Sequence, residues 1–279
     1  MGCLNSEGQF QHWFSNIHLS GPCNRSCYFC IGQHMLAVDK FNNLDTWPLD
    51  NIKEFVQTLN SMDIKEINLT GTNTDPLLYK HPVELISYLR ESVQDARIGI
   101  RTNGAMIKGR EDIWSLYDKG SVTICSFDRE IYQKMMGQGT PPDLEYILSI
   151  TNFRDALKVN VVLGPENSGD DLLNTMYELE RLGVRRANLR EPYGQPHIGA
   201  PKYWTSMGYR LGMPVYSFNT LEVMYWDVHY VEVESVNLYA NGYISKTYPV
   251  TKGHDHDNGI VLEQVNFPGG RVAKQWEYS

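Results

Sequence analysis

Cys23, Cys27 and Cys30 stand in the run Cys23-Asn-Arg-Ser-Cys27-Tyr-Phe-Cys30, a CX3CX2C spacing on one short loop. Three thiolates so spaced can hold three irons of a 4Fe–4S cube and leave the fourth iron without a protein ligand. That open iron offers a small molecule a seat for its amino and carboxylate groups. Zinc is the rival occupant; a structural zinc takes four closed ligands, and His34 is the nearest residue able to serve as the fourth. The chain has five cysteines, so only Cys3 and Cys125 lie outside this loop. Two spare thiols are too few for a disulfide framework or a second all-cysteine cluster.

Two further clusters carry less. His254-Asp255-His256-Asp257 has metal-ligand residue types beside Gly253 and Gly259, and reads as a solvated loop. Gly137-Gln-Gly139 has the glycines of a phosphate nest, and reads as a loop before the next helix.

The elements that must position the cysteines follow from hydrophobic periodicity. Residues 14–20 form a β-type run directly before the loop. Residues 49–62 carry apolar Ile52, Phe55, Val56 and Leu59 at helical spacing. Strands are then expected at 66–70, 98–102, 122–127, 159–163 and 186–190. Helices are expected at 83–93, 112–117, 143–150 and 171–182, the last ending at Gly183. Six β-then-α passes argue for parallel strands with right-handed crossovers. A closed barrel needs eight such units, so the expected fold is α/β, a partial (β/α)6 TIM-type barrel in residues 1–200. Chemistry then belongs at the C-terminal ends of the strands.

After residue 201 the texture turns aromatic and β-rich, and residues 201–279 are expected to cap the barrel. Ala240-Asn241-Gly242 between alternating runs is a hairpin signal. Tyr203, Trp204, Tyr209, Tyr216, Tyr225 and Trp226 read as packing of this tail, with a substrate lid as the alternative.

Composition narrows the partners. The 279 residues are 42% hydrophobic, with 25 basic and 33 acidic residues for a formal net charge of −8. A barrel-sized core is within reach, and a polyanion-binding surface is not indicated, so no nucleic acid is expected. No apolar run approaches the ~18 residues of a membrane span. The start MGCLNSEGQFQHW lacks the basic and apolar regions of a signal peptide, and its Gly2/Ser6 match to a myristoylation pattern reads as a plain start. A cytoplasmic protein with no membrane partner is expected.

The cysteine loop after a first strand resembles that of the radical S-adenosylmethionine (SAM) enzymes. Other segments resemble the same family in order. Phe29, before the last cysteine, matches the aromatic residue whose backbone lies near the adenine. Gly71-Thr72-Asn73-Thr74-Asp75-Pro76 is similar to the GGEP-type segment that meets the methionine amino group, but is longer and has no second glycine. The resemblance therefore leaves Asn73, Thr74 and Asp75 as alternatives for that contact. Thr102-Asn103-Gly104 is similar to the TNG element, and Ser126-Phe127-Asp128 to the S-L-D element. Asn160 in Lys-Val-Asn-Val-Val, and Arg190 in the run Asn188-Leu-Arg190-Glu-Pro192, look like the branch containing the molybdenum-cofactor cyclase. Thr247 stands where that branch carries a cysteine for an auxiliary cluster.

Over residues 14–195 this resemblance implies one 4Fe–4S cluster on Cys23, Cys27 and Cys30, and SAM as the second cofactor. It implies reductive cleavage of SAM and hydrogen abstraction from a substrate by a 5′-deoxyadenosyl radical. A small-molecule substrate (a nucleotide, sugar or amino-acid derivative) and an electron donor such as flavodoxin or ferredoxin are the implied partners. Without an auxiliary cluster, a redox-neutral or reductive outcome is expected. The alternatives are a peptide- or protein-modifying enzyme of the same family, or a non-catalytic metal-binding or redox-sensing protein. Strand alternation turns Asn16, His18 and Ser20 inward, which makes His18 a candidate catalytic contact or else a satisfied structural histidine. Arg190 suits a carboxylate or phosphate, with a structural ion pair as the alternative. Cys125 is the candidate hydrogen donor, although alternation points it at the helix layer as a small apolar residue.

Overall fold

The computed structural model describes residues 13–34, 41–192, 196–201, 203–227 and 234–247, with four short strands at 3–4, 10–11, 264–267 and 271–274. The barrel units are β1 (Trp13–Leu19), α1 (Ile52–Ser61), β2 (Glu66–Gly71), α2 (Pro82–Ser92), β3 (Arg97–Thr102), α3 (Glu111–Trp114), β4 (Lys119–Thr123), α4 (Arg129–Met136), α5 (Leu144–Ile150), β5 (Leu157–Val162), α6 (Asp170–Arg181) and β6 (Arg186–Arg190). They are followed by β7 (Thr205–Arg210), β8 (Met213–Phe218), β9 (Leu221–Trp226), β10 (Glu234–Leu238) and β11 (Ile244–Thr247).

All of these strands join one open sheet, in the order β11-β10-β1-β2-β3-β4-β5-β6-β9-β8-β7. Strands β1 to β6 pair in parallel with their sequence neighbours, as the six-unit reading expects. The β-rich tail enters the sheet itself: β10 lies parallel to β1 on one flank, and β9 lies parallel to β6 on the other. Antiparallel partners then finish both edges, one being the β10–β11 hairpin around the Asn241-Gly242 turn. His254–Asp257 lies outside the described residues.

Alternation along the strands separates two environments. Ile17, Leu19, Ile67, Leu69, Ile98, Ile100, Val159, Val161, Ala187 and Leu189 are buried in the main core with α1, α2 and α6. The α1 stripe of Ile52, Phe55, Val56 and Leu59 is buried as the periodicity requires. The opposite strand face is polar. Asn237, Asn16 and Asn68 stand side by side on β10, β1 and β2, and Asn160 faces Asn188 across β5 and β6. Interiors of closed barrels are filled by branched apolar side chains. A polar interior instead leaves a lumen suited to a polar ligand.

Two elements differ from the sequence reading. The fourth strand spans Lys119–Thr123 rather than 122–127, because pairing with β3 and β5 overrides the weak strand propensity of its Lys-Gly-Ser start. Helix α4 was not expected. Its Asp128 cap accepts the Glu130 and Ile131 N–H groups, Gly137 ends it at φ 78°, and Tyr132, Met135 and Met136 are its buried residues.

Candidate active site

The C-terminal ends of the strands enclose a cavity of about 580 Å³. Its wall includes Cys23, Cys27, Cys30, Phe29, the turn Gly71–Asp75, Thr102, Asn103, Asn160, Arg190 and His18. Thus the cysteine loop, the turn after β2, Thr102-Asn103, Asn160 and Arg190, far apart in the chain, meet at one place, whereas Ser126-Phe127-Asp128 does not line it.

The cysteine loop is held by backbone and side-chain bonds rather than by regular structure. Ser26 N–H donates to the Met136 carbonyl at 3.1 Å, and Gln33 Nε2 donates to the Cys27 carbonyl at 3.2 Å. Arg25 donates through Nε to Tyr132 Oη at 3.2 Å and through Nη1 to the Asn24 carbonyl at 2.8 Å. Gly137 lets α4 approach: a Cβ there would lie 2.0 Å from Ser26 Oγ. Burial pushes the three thiols upward, Cys27 to about 12, where Cys30 and Cys23 add to the effect. Such thiols are neutral on their own and become good ligands only when a metal ion takes the proton's place.

The turn after β2 is wired to its neighbours. Thr72 N–H donates to the Leu19 carbonyl at 2.7 Å. Asn73 Oδ1 accepts from Ser20 Oγ at 2.8 Å and from Gly21 N–H at 3.1 Å, and Thr74 Oγ1 donates to the Pro22 carbonyl at 2.7 Å. The buried Asp75 carboxylate accepts from Leu77 N–H, Thr102 Oγ1 and Asn103 N–H. Burial pushes its carboxyl up, against the pull of these donors.

His18 stacks on Tyr239, ring centroids 4.7 Å apart, and its Nε2 lies 3.2 Å from Asn237 Oδ1. Asn237 Nδ2 is already spent on Ser235, so Oδ1 faces the ring as an acceptor and the proton sits on Nε2. Burial brings the His18 pKa down to about 4; the Asn237 bond opposes this and Arg101 adds to it. His18 is therefore a neutral donor–acceptor on the cavity wall.

Below this cavity is a second one of about 190 Å³, and the two share Arg101, Asn160 and Arg190. Its lining adds Lys119 and Lys158. Lys119 pairs with Glu66, and burial brings its pKa down to about 8. Burial likewise holds Lys158 down, with Arg186, Arg101 and Arg210 contributing as neighbouring cations. Arg101, Ser121, Lys158 and Arg186 follow one another across four adjacent strands. Arg190 stacks over Trp226, its guanidinium carbon 5.4 Å from the ring centroid.

Two expected residues stand apart from the cavity lining. Ser126 Oγ donates to Asp171 Oδ1 at 2.9 Å and accepts from Asp128 N–H, so it serves the start of α4. Cys125 is fully buried among Tyr132, Met135, Met136 and Val162, and desolvation pushes its thiol up. The aromatic tail divides: Trp204 packs on Tyr216 and Phe218, while Tyr203 and Tyr209 are 98% and 80% exposed. Sequence reasoning missed Arg25, Arg101 and Glu191 in the lining. Strand alternation from Gly99 could have found Arg101; Arg25 and Glu191 lie in loops, where no periodicity marks them.

The donor set fits an iron–sulfur cube better than a single ion. Three cysteine thiols line one cavity, the donor set that three irons of a 4Fe–4S cube take. The site also holds a buried, unpaired polar atom, Thr72 Oγ1, as a site awaiting a polar ligand would.

The chain is similar to several known proteins. A GTP 3′,8-cyclase of Helicobacter pylori (strain HPAG1) is 28% identical over 183 residues, covering 63% of this chain and 54% of that protein. One of Staphylococcus carnosus is 26% identical over 169 residues, covering 56% and 47%. The chain spans about half the length of these curated relatives. Among solved structures, Streptococcus suis SuiB has a TM-score of 0.49 at 15% identity, covering 69% of this chain and 42% of that one. The family model described as the Radical SAM superfamily matches residues 17–179. That is more than half of the 279 residues, and the chain belongs to the radical SAM superfamily.

Proposed function

We propose that this chain is a radical SAM enzyme acting on a small anionic substrate of nucleotide type, with a redox-neutral or reductive outcome. The observation that carries the reading is the shared lumen: three cysteines at its upper wall, and Arg101, Arg190 and Lys158 at its floor. When bound, a reduced 4Fe–4S cluster and SAM supply a 5′-deoxyadenosyl radical able to abstract hydrogen from a substrate carbon.

The chain's own residues do the rest. Cys23, Cys27 and Cys30 would hold the cluster, and the turn Gly71–Asp75 with Phe29, Asn103 and Asn160 would hold SAM. Arg101, Arg190 and Lys158 would seat the substrate's phosphate or carboxylate, since guanidinium and ammonium groups out of bulk water recognise anions strongly. Neutral His18, with Asn16 and Asn237 behind it, would orient a polar group on the substrate. The similarity to GTP 3′,8-cyclases supports a nucleotide. An electron donor such as flavodoxin or ferredoxin completes the expected partners.

The test is deuterium transfer. Anaerobic protein with dithionite, SAM and a panel of deuterated nucleotides should yield deuterated 5′-deoxyadenosine with the true substrate. Lys158→Ala should raise KM for that substrate by about tenfold. If only neutral substrates transfer deuterium, the anionic reading fails.

A further inference from the structure

Met136, the last residue of α4, lies against the cysteine loop. Its Sδ is 3.5 Å from Cys27 Sγ, and its carbonyl oxygen is 4.0 Å from the same sulfur. It is 2% exposed and belongs to the wall of the larger cavity. Its neighbours fix it there. Ser26 N–H donates to the Met136 carbonyl at 3.1 Å, and the Cys125 thiol donates to Sδ at 3.6 Å. Tyr132, Met135 and Val162 pack the same cluster, with Cys27, Tyr28 and Phe29 against it.

What Met136 presents to Cys27 is chemically selective. A thioether sulfur and a carbonyl oxygen are both acceptors, and neither carries a hydrogen to donate. The other two thiols differ: the Asn24 and Arg25 backbone N–H groups serve Cys23, and that of Gly32 serves Cys30, while Cys27 is served by its own. A cysteinate that ligates an iron–sulfur cluster gains negative charge when the cluster is reduced. Donors and solvent at its sulfur stabilise that reduced state and raise the potential, whereas a dry, donor-free wall keeps it low. The unbranched thioether fills this space closely without bringing a donor.

Resting on the reading of this loop as the seat of a 4Fe–4S cluster, we propose that Met136 is a positioning residue that keeps the Cys27 side of the cluster dry and free of hydrogen-bond donors, and so holds its reduction potential low. The residue acts through Cys27; it ligates no iron and transfers neither electron nor proton.

A redox titration of the full-length, anaerobically reconstituted chain without SAM, followed by the EPR signal of the reduced cluster, tests this. Met136→Gln is close to methionine in length but brings an amide donor to Cys27. Its midpoint potential should shift positive at wild-type iron content, while donor-free Met136→Leu should titrate with wild type. If Met136→Gln fails to load iron, the near-isosteric pair Met136→Thr and Met136→Val carries the comparison, and the hydroxyl variant alone should shift positive. An unshifted potential in the iron-loaded donor variant overturns the proposal. So does an equal shift in donor and donor-free variants, or loss of iron from all four, since either marks a packing role. A wild type without an EPR-active cluster overturns the cluster reading beneath it.

Discussion

Asp75 Oδ2 accepts the Asn103 backbone N–H at 2.7 Å, so one buried carboxylate ties the end of β2 to the end of β3 at the cavity wall. The same carboxylate caps the turn Pro76–Leu78 and holds the Thr102 hydroxyl. Removing it strands several buried donors at once. Asp75→Ala should lower stability by about 3 kcal/mol in urea unfolding, with Asp75→Asn costing less because one acceptor survives. A loss within about 0.5 kcal/mol would show that these bonds are not formed in solution.

The buried His18 makes stability depend on pH. Its folded pKa, about 4, lies below the ordinary 6.5, so the unfolded chain binds the proton more readily between those values. The contribution is complete above pH 6.5 and is lost as pH falls toward 4. By linkage it amounts to about 3 kcal/mol. Urea unfolding at pH 7 and pH 5 should show a steeper loss for wild type than for His18→Asn. Equal pH slopes would contradict the burial of a neutral ring.

The cysteines divide by position. Cys23→Ala, Cys27→Ala or Cys30→Ala should each cut iron content severely, since each thiol lines the cavity. Cys125→Ala should keep its iron and lose about 1 kcal/mol of stability through the small void it leaves in the Tyr132–Met136 cluster. Iron loss in the Cys125 variant equal to that of the others would redraw the ligand set.

Glycine at 137 gives α4 its contact with the cysteine loop. Its φ is +78°, and an added Cβ would sit 2.0 Å from Ser26 Oγ. Gly137→Ala should therefore displace the loop and lower cluster loading well before it unfolds the chain. Full iron content in this variant would mean that the loop is held without α4.

The legible part of the chain was the part where periodicity and chemistry coincide. The α1 stripe, the Gly183 stop and the inward His18 follow from alternation or helical spacing, and the structure places each accordingly. The cysteine loop was legible because few chemistries need three thiols so close. Helix α4 is hidden in the sequence because only eight residues carry its stripe and its Gly137 stop resembles a loop glycine. The tail's route to both sheet flanks was hidden because a strand's sequence does not name its partner. Ser126 matched a motif by residue type, yet Asp171 on α6 claims its hydroxyl, a tertiary contact beyond the reach of any local pattern.

The central claim is that the Cys23–Cys30 loop carries a cluster that cleaves SAM. It is tested most directly by assaying 5′-deoxyadenosine after anaerobic reconstitution, dithionite reduction and addition of SAM, beside the triple Cys23/Cys27/Cys30→Ala variant. The account predicts close to four irons per chain and 5′-deoxyadenosine from wild type alone. Zinc in place of iron in protein isolated without oxygen, or no 5′-deoxyadenosine from cluster-loaded protein supplied with reductant and substrate, would contradict it.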